Sequence, residues 1–155
     1  MNIKLILLFL VMLSTSCKKK EATPNFNWSD ISIRNSHEEI IIYKELDTAS
    51  FIKPIYETIN HNDFYTKRIG TERKQIKFSN SEKDSIAIYV QQIIRNPIET
   101  DLFCTDYVGN LHVTIRNFNS SFSAHYTSVC QVDTLSTETR KLFKLLNSKI
   151  YFSDN

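Results

Sequence analysis

Residues 107–130 read YVGNLHVTIRNFNSSFSAHYTSVC and predict a single long β-hairpin. Apolar and polar residues alternate strictly on both sides of a short central segment, as expected of two strands that each bury one face. The apolar positions are Leu111, Val113, Ile115, Phe122, Ala124 and Tyr126. The central segment, residues 117–120, contains Asn and Ser residues that favour a tight turn.

The register of this hairpin follows if Phe118 and Asn119 form its loop, because apolar residues then lie opposite apolar ones and polar opposite polar. The apolar pairs are Leu111 with Tyr126, Val113 with Ala124 and Ile115 with Phe122, and the polar pairs include Thr114 with Ser123 and His112 with His125. A slip by one residue would set apolar side chains opposite polar ones along the whole ladder. We therefore predict that Val113 and Ile115 are buried and that Thr114 and Arg116 are exposed.

A second hairpin is predicted between residues 31 and 46, with a turn over residues 35–38. In its register Ile33 lies opposite Ile40 and Ile31 opposite Ile42. Leu46 extends the apolar face of the second strand.

Three helices are predicted where apolar residues recur at helical spacing. They span residues 52–62, 81–95 and 137–149. Pro54 is compatible only with the first turn of the first helix. Ser81 is the predicted cap of the second helix, which we prefer to a strand over residues 86–90, and Ser136 is the predicted cap of the third.

The remaining residues, 64–78, predict a short hairpin around Gly70, with Ile76 and Phe78 in its second arm. Hairpins combined with helices indicate one α+β domain over residues 26–155, built on an antiparallel sheet packed with about three helices. A domain of this length is long enough for a real core and too short to be two domains.

The charge balance gives no reason to expect nucleic-acid binding, which requires several phosphates to be neutralised. The chain has 19 Lys and Arg against 17 Asp and Glu, a formal net charge of +2. Its two glycines, Gly70 and Gly109, exclude the glycine-rich phosphate loops of nucleotide-binding enzymes. No cofactor is predicted.

The N-terminal residues form a processing segment. Lys4 is followed by an uninterrupted apolar run over residues 5–13, by small residues and by Cys17. The run is too short to cross a bilayer core of about 30 Å as a helix, but it fits the apolar part of a secretory signal. The arrangement resembles a bacterial lipoprotein precursor, in which the cysteine is lipidated and becomes the first residue of the mature chain. Ser14 stands where that family usually has leucine.

This resemblance covers residues 1–17 and implies a domain plan and an address. Residues 1–16 would be the signal peptide, and residues 17–25 the lipidated Cys17 followed by a flexible tether. The expected location is the bacterial cell envelope, with the protein anchored in the membrane by its lipid on the periplasmic side of the outer membrane.

With Cys17 lipidated, Cys104 and Cys130 are the two cysteines left, and in an oxidising compartment we expect them to form a disulfide. The register supports this pairing, because it continues to Val108 opposite Val129 and so brings Cys130 to the open end of the hairpin. A competing fold would forbid the bond. In that fold residues 103–107 pair with residues 111–115 through a turn at Gly109, and Cys104 lies far from Cys130.

Two histidines are candidate metal ligands, because the register makes His112 and His125 cross-strand neighbours. A zinc site needs a third protein ligand, and Asp101, Asp106 and His61 are all candidates. The alternative, which we favour, is a polar sheet surface without metal. Ser120, Ser121 and Ser123 lie near His125 in sequence, but turn and strand composition explains them better than a nucleophile does, since no G-x-S-x-G motif is present.

Phe118 is a candidate binding residue, because an aromatic side chain at the tip of a polar turn can anchor a protein partner. The alternative is that its ring folds back onto a neighbouring helix. Together with His112, His125 and Arg116 it makes up the predicted binding surface. The sequence thus favours an envelope lipoprotein that binds an envelope or secreted protein, as an accessory or inhibitor module, over a metal-dependent enzyme built on His112 and His125.

Overall fold

The computed structural model describes residues 27–58, 66–98, 109–132 and 135–153. The strands are β1 (Asp30–Asn35), β2 (Glu39–Tyr43), β3 (Thr48–Thr58), β4 (Thr66–Lys77), β5 (Gly109–Arg116) and β6 (Ser121–Val129), and the helices are α1 (Asn80–Arg95) and α2 (Thr137–Asn147). All six strands form one antiparallel sheet in the order β4-β3-β2-β1-β5-β6. The predicted α+β class is confirmed, with two helices in the described residues instead of about three.

The core lies between one face of the sheet and the two helices. Alternating residues of the strands and one stripe of each helix meet in a single cluster, whose fully buried members include Ile31, Ile33, Ile40, Ile42, Leu111, Val113, Ile86, Val90, Leu142 and Leu146. Because a strand presents alternate residues to opposite faces, the polar residues between these positions lie on the other face of the sheet. We call that other surface the polar face. No helix of the described residues is long and apolar enough to cross a membrane.

The β5–β6 hairpin has the predicted register from its tip to Leu111, which pairs with Tyr126. Beyond that pair the prediction is wrong, because Val129 lies opposite Gly109 and not opposite Val108. The cause is a bulge in which Thr127 and Ser128 together oppose one residue of β5, and Ser128 adopts a positive φ of 61°. The extra residue turns Val129 into the core, where it is 1% exposed.

The competing fold with residues 103–107 paired to β5 is excluded by the neighbours of that strand. One edge of β5 pairs with β1 over residues 111–116, and the other pairs with β6. Both edges are therefore occupied along the segment that the competing fold would use.

The first predicted hairpin is confirmed, since Ile33 pairs with Ile40 and Ile31 with Ile42. The prediction for Leu46 is wrong. β2 ends at Tyr43, and Leu46 is 53% exposed in the following bend. This bend is held by Lys83 of α1, whose buried ammonium donates to the carbonyl oxygens of Lys44 and Leu46 at 3.0 and 2.7 Å.

The predicted helix over residues 52–62 is wrong, because residues 48–58 form β3. Pro54 is tolerated there because β2 pairs with β3 only as far as Ile52, so the next residues of β3 have a partner on one side only. The hairpin predicted around Gly70 is also wrong. Gly70 lies inside the continuous strand β4, next to a register shift that leaves Ile69 unpaired.

Both remaining helices are confirmed, with one difference in capping. α1 is capped by Ser79 and not by Ser81, because the Ser79 hydroxyl accepts from the Glu82 amide while the Glu82 carboxylate accepts from the Ser79 amide. α2 begins after Ser136, as predicted, and ends at Asn147.

Residues that follow α2 close one end of the core. Phe152 is fully buried, and its ring packs edge-on against Phe51 and Phe143, with centroid separations of 6.4 and 5.6 Å. The Ser153 amide donates to the buried carboxylate of Glu38 at 2.8 Å, and the same carboxylate pairs with Lys53. The Glu38 hydrogen bond is the main reason that the pKa of Lys53 is raised.

Candidate functional site

The polar face carries the predicted histidine pair within a row of cross-strand neighbours. The row runs through Glu39 on β2, Arg34 on β1, His112 on β5 and His125 on β6. The rings of His112 and His125 lie 5.3 Å apart between centroids and are tilted by 45°. The structure therefore brings the two histidines together as the sequence predicts.

His112 is held in its neutral form by its surroundings. Burial lowers its pKa most, and the positive charges of His125, Arg34 and Arg116 lower it further, while Glu39 acts in the opposite direction. The Nε2 atom of His112 lies 3.3 Å from the Thr114 hydroxyl, so a neutral ring can either donate to it or accept from it. A neutral imidazole can serve as a hydrogen-bonding group or as a metal ligand.

This lowered pKa predicts an acid-sensitive contribution of His112 to stability. As the pH falls through about 6.5, the histidine of the unfolded chain takes up a proton, whereas the folded chain keeps His112 neutral to lower pH. Unfolding is then favoured, so the free energy of unfolding decreases below about pH 6.5 until the folded pKa is passed. Chemical denaturation between pH 5 and 8 should show a smaller decrease for His112→Gln than for the wild type. His37→Gln, in the exposed β1–β2 turn, is the control, and an unchanged pH profile of His112→Gln would contradict the assignment.

Metal binding at the histidine pair lacks a third ligand in the described part of the chain, where no group of three His, Cys, Asp or Glu side chains could hold an ion. Asp101, Asp106 and His61, the predicted candidates for that ligand, lie outside the described residues. Arg34 and Arg116 act on His112 as positive charges. They would also repel a divalent cation there.

Arg116 is exposed as predicted, and its guanidinium forms an ion pair with Asp30 of β1. The prediction that Thr114 is exposed is wrong, because Thr114 is 6% exposed. Its short side chain lies on the polar face between the longer side chains of His112 and Arg116 on its own strand, and β5 is flanked by strands on both sides. Alternation assigns a residue to a face, but the lengths of its neighbours decide how much solvent reaches it.

Phe118 is the most exposed large apolar residue of the described chain, with 87% of its surface accessible. It therefore does not fold back onto a helix, which was the alternative prediction. The turn that presents it is ordered by Asn117, whose side-chain oxygen accepts from the amides of Asn119 and Ser120 at 2.9 and 2.7 Å. The Asn117 amide also donates to the Ser120 carbonyl oxygen at 2.9 Å. The backbone on both sides of the ring is thus fixed by hydrogen bonds.

The predicted cysteine sites are only partly within reach of the structure. Cys17, the predicted lipidation site, and Cys104 both lie outside the described residues. Cys130 directly follows β6 and is disulfide-bonded. Its pairing with Cys104 stays a prediction.

One polar residue of interest was missed by the sequence analysis. Gln91 lies on the buried side of α1, between Val90 and Ile93, and is only 8% exposed. The signal was present, because Gln91 follows Ala87 by one helical turn and precedes Ile94 by another, which places it on an apolar stripe. A polar residue on such a stripe indicates either a buried hydrogen bond or a binding site.

Comparison of the chain with protein-family models, with curated proteins and with solved structures finds no match. Functional inference therefore rests on the chemistry of its own residues.

Proposed function

We propose that this protein is a membrane-anchored lipoprotein of the bacterial cell envelope that binds another protein through the tip of its β5–β6 hairpin, as an accessory or inhibitor module. The observation behind this proposal is the 87% exposure of Phe118 on a turn that is held by hydrogen bonds. An exposed aromatic ring at a protruding tip supplies a large apolar contact area, and aromatic residues dominate the binding energy of many interfaces.

The way the tip is held also favours binding. Binding is weakened when flexible groups must be ordered, so a ring on a fixed turn loses less entropy than a ring on a mobile loop. The turn grows directly out of the core, because Ile115 is 1% exposed one residue before Arg116. Arg116 is itself tied to Asp30 of β1, and its carbonyl oxygen accepts from the Ser29 amide at 2.7 Å. The tip is therefore a preorganised anchor for a pocket on a partner protein.

The decisive test is the loss of a partner on removal of the Phe118 ring. Phe118→Ala should leave stability unchanged, because the ring makes no buried contact, and should weaken binding by at least about tenfold, the effect expected of a hot-spot residue. Proteins crosslinked to the wild type in intact envelopes would be identified by mass spectrometry, and the affinity of the purified partner then measured for each variant.

Tyr151→Ala provides the matched control, because Tyr151 is 73% exposed but lies after α2, away from the tip in sequence. Binding that survives Tyr151→Ala and fails in Phe118→Ala supports the proposal. A partner set that is the same for wild type and both variants would refute it.

Lipidation at Cys17 is the second part of the proposal and has its own test. Each buried methylene contributes about 0.8 kcal/mol, so several acyl chains would hold the domain firmly on the membrane. Cells that express the full chain should incorporate a radiolabelled fatty acid into it, and Cys17→Ala should abolish the label. Equal labelling of the two chains would overturn the anchor without affecting the hairpin-tip proposal.

The alternative function is a metal-dependent enzyme at His112 and His125, which the separation of 5.3 Å between their ring centroids supports. Elemental analysis of the purified chain separates the two proposals. Zinc bound at one equivalent and lost in His112→Gln would favour the enzyme, whereas a metal content that does not change with His112→Gln would leave protein binding as the better explanation.

A further inference from the structure

A small cavity lies between the last turn of α1 and the β5–β6 hairpin. Its volume is about 190 Å³, and the described residues that line it are Gln91, Ile94, Arg95, Ile115 and Phe122. Ile115 and Phe122 are cross-strand partners and form one wall. The other wall is the end of α1, where Ile94 packs against the core and Arg95 is exposed. Most of the lining is therefore apolar, with an exposed guanidinium among it.

The polar group in the buried part of this lining is Gln91. Its Oε1 atom is buried and has no hydrogen-bond partner in the described residues. An unsatisfied buried acceptor is destabilising, and a leucine would fill the same position without this penalty. The carboxamide therefore has no structural benefit that the contacts of the folded chain explain, but it supplies an acceptor inside an apolar cavity.

Water is a poor occupant of such a space. A buried water usually makes about three hydrogen bonds, whereas the lining offers the Gln91 carboxamide and, apart from it, the exposed Arg95 guanidinium as polar side-chain groups. An apolar cavity of about 150 Å³ accepts benzene, so a space of about 190 Å³ is large enough for one aromatic ring with a small substituent.

We propose that this cavity binds a small apolar molecule about the size of one aromatic ring that carries a hydroxyl group. The ring contacts Ile94, Ile115 and Phe122, and the hydroxyl donates its proton to Oε1 of Gln91. This inference goes beyond the proposed protein-binding function and does not depend on it, because neither Phe118 nor Cys17 contributes to the cavity.

The test compares phenol with toluene, two ligands of nearly equal size of which only phenol can donate a hydrogen bond. Both are titrated into the full chain in a mild detergent, and binding is followed by the methyl NMR signals of Ile94 and Ile115. Partition of the ligands into detergent affects all variants alike, so the quantity to compare is the ratio of the phenol and toluene affinities in each variant.

In the wild type this ratio should exceed that of Gln91→Leu by about fivefold to tenfold, the size of one net hydrogen bond. Gln91→Met is a second variant that removes the acceptor with a side chain of similar length. Gln92→Leu, at the exposed neighbouring position, should keep the wild-type ratio. The proposal is overturned if neither ligand shifts the two methyl signals saturably, or if the ratio is the same in the wild type and in the Gln91 variants.

Discussion

Replacing Val113 with aspartate is expected to unfold the domain. Val113 has no exposed surface and lies on the core side of β5, opposite Ile33 of β1 and Ala124 of β6. A carboxylate at this position would lose its hydration without gaining a partner, at a cost of several kcal/mol. Since domains are typically stable by only about 5–15 kcal/mol, this single charge should remove most or all of the native state. Circular dichroism during urea denaturation measures the effect.

The same charge should be tolerated one strand away on the polar face. Ser123 of β6 is exposed and lies opposite Thr114, so Ser123→Asp should change the free energy of unfolding by no more than about 0.5 kcal/mol. Thr114 itself is unsuitable as the control because it is buried. Comparable losses of stability in Val113→Asp and Ser123→Asp would show that the faces of this hairpin are wrongly assigned.

The β5–β6 hairpin could be predicted from sequence because its information is local. Alternation defines the two faces, the turn residues define the loop, and together they determine the register as far as Leu111. The bulge at Thr127 and Ser128 could not be predicted in this way, because alternation alone does not say where a strand must change face to bury a residue such as Val129. The first hairpin and the last helix succeeded for the same local reasons.

The segment that became β3 shows where local patterns fail. Ile52, Ile55 and Tyr56 have the spacing of a helical stripe, yet they form a strand because β4 offers a continuous partner from Thr66 to Lys77. Pairing of this kind is a property of two segments, and no spacing within one of them reveals it. The exposure of Ile55 and Tyr56, at 44% and 50%, shows that this part of the hairpin does not carry the apolar stripe into the core.

The candidate sites divide along the same line. The His112–His125 pair and the exposed tip at Phe118 follow from the hairpin register, so the sequence could predict their positions. The Gln91 cavity depends on how α1 packs against β5 and β6, which a single sequence does not specify. The burial of Thr114 likewise depends on the strands beside it and on the length of neighbouring side chains.

The residues after α2 were not part of the predicted core, and their removal is expected to be costly. Phe152 is fully buried, and its ring contacts Phe51 of β3 and Phe143 of α2. Truncating a buried phenylalanine to alanine typically costs about 3–5 kcal/mol, because the apolar contact is lost and a cavity remains. Phe152→Ala should therefore lower the free energy of unfolding by about that amount, as measured by urea denaturation.

Tyr151→Ala separates loss of this packing from a general effect of changing the chain end. Tyr151 precedes Phe152 directly and is 73% exposed, so its truncation should change stability by no more than about 0.5 kcal/mol. The backbone next to Phe152 is held independently of either ring, because its amide donates to the Asn147 side chain at 2.7 Å and the Ser153 amide donates to Glu38 at 2.8 Å. A large loss in Phe152→Ala alone would thus show that the ring itself joins β3 and α2, whereas equal losses in the two variants would assign the stabilisation to the backbone contacts instead.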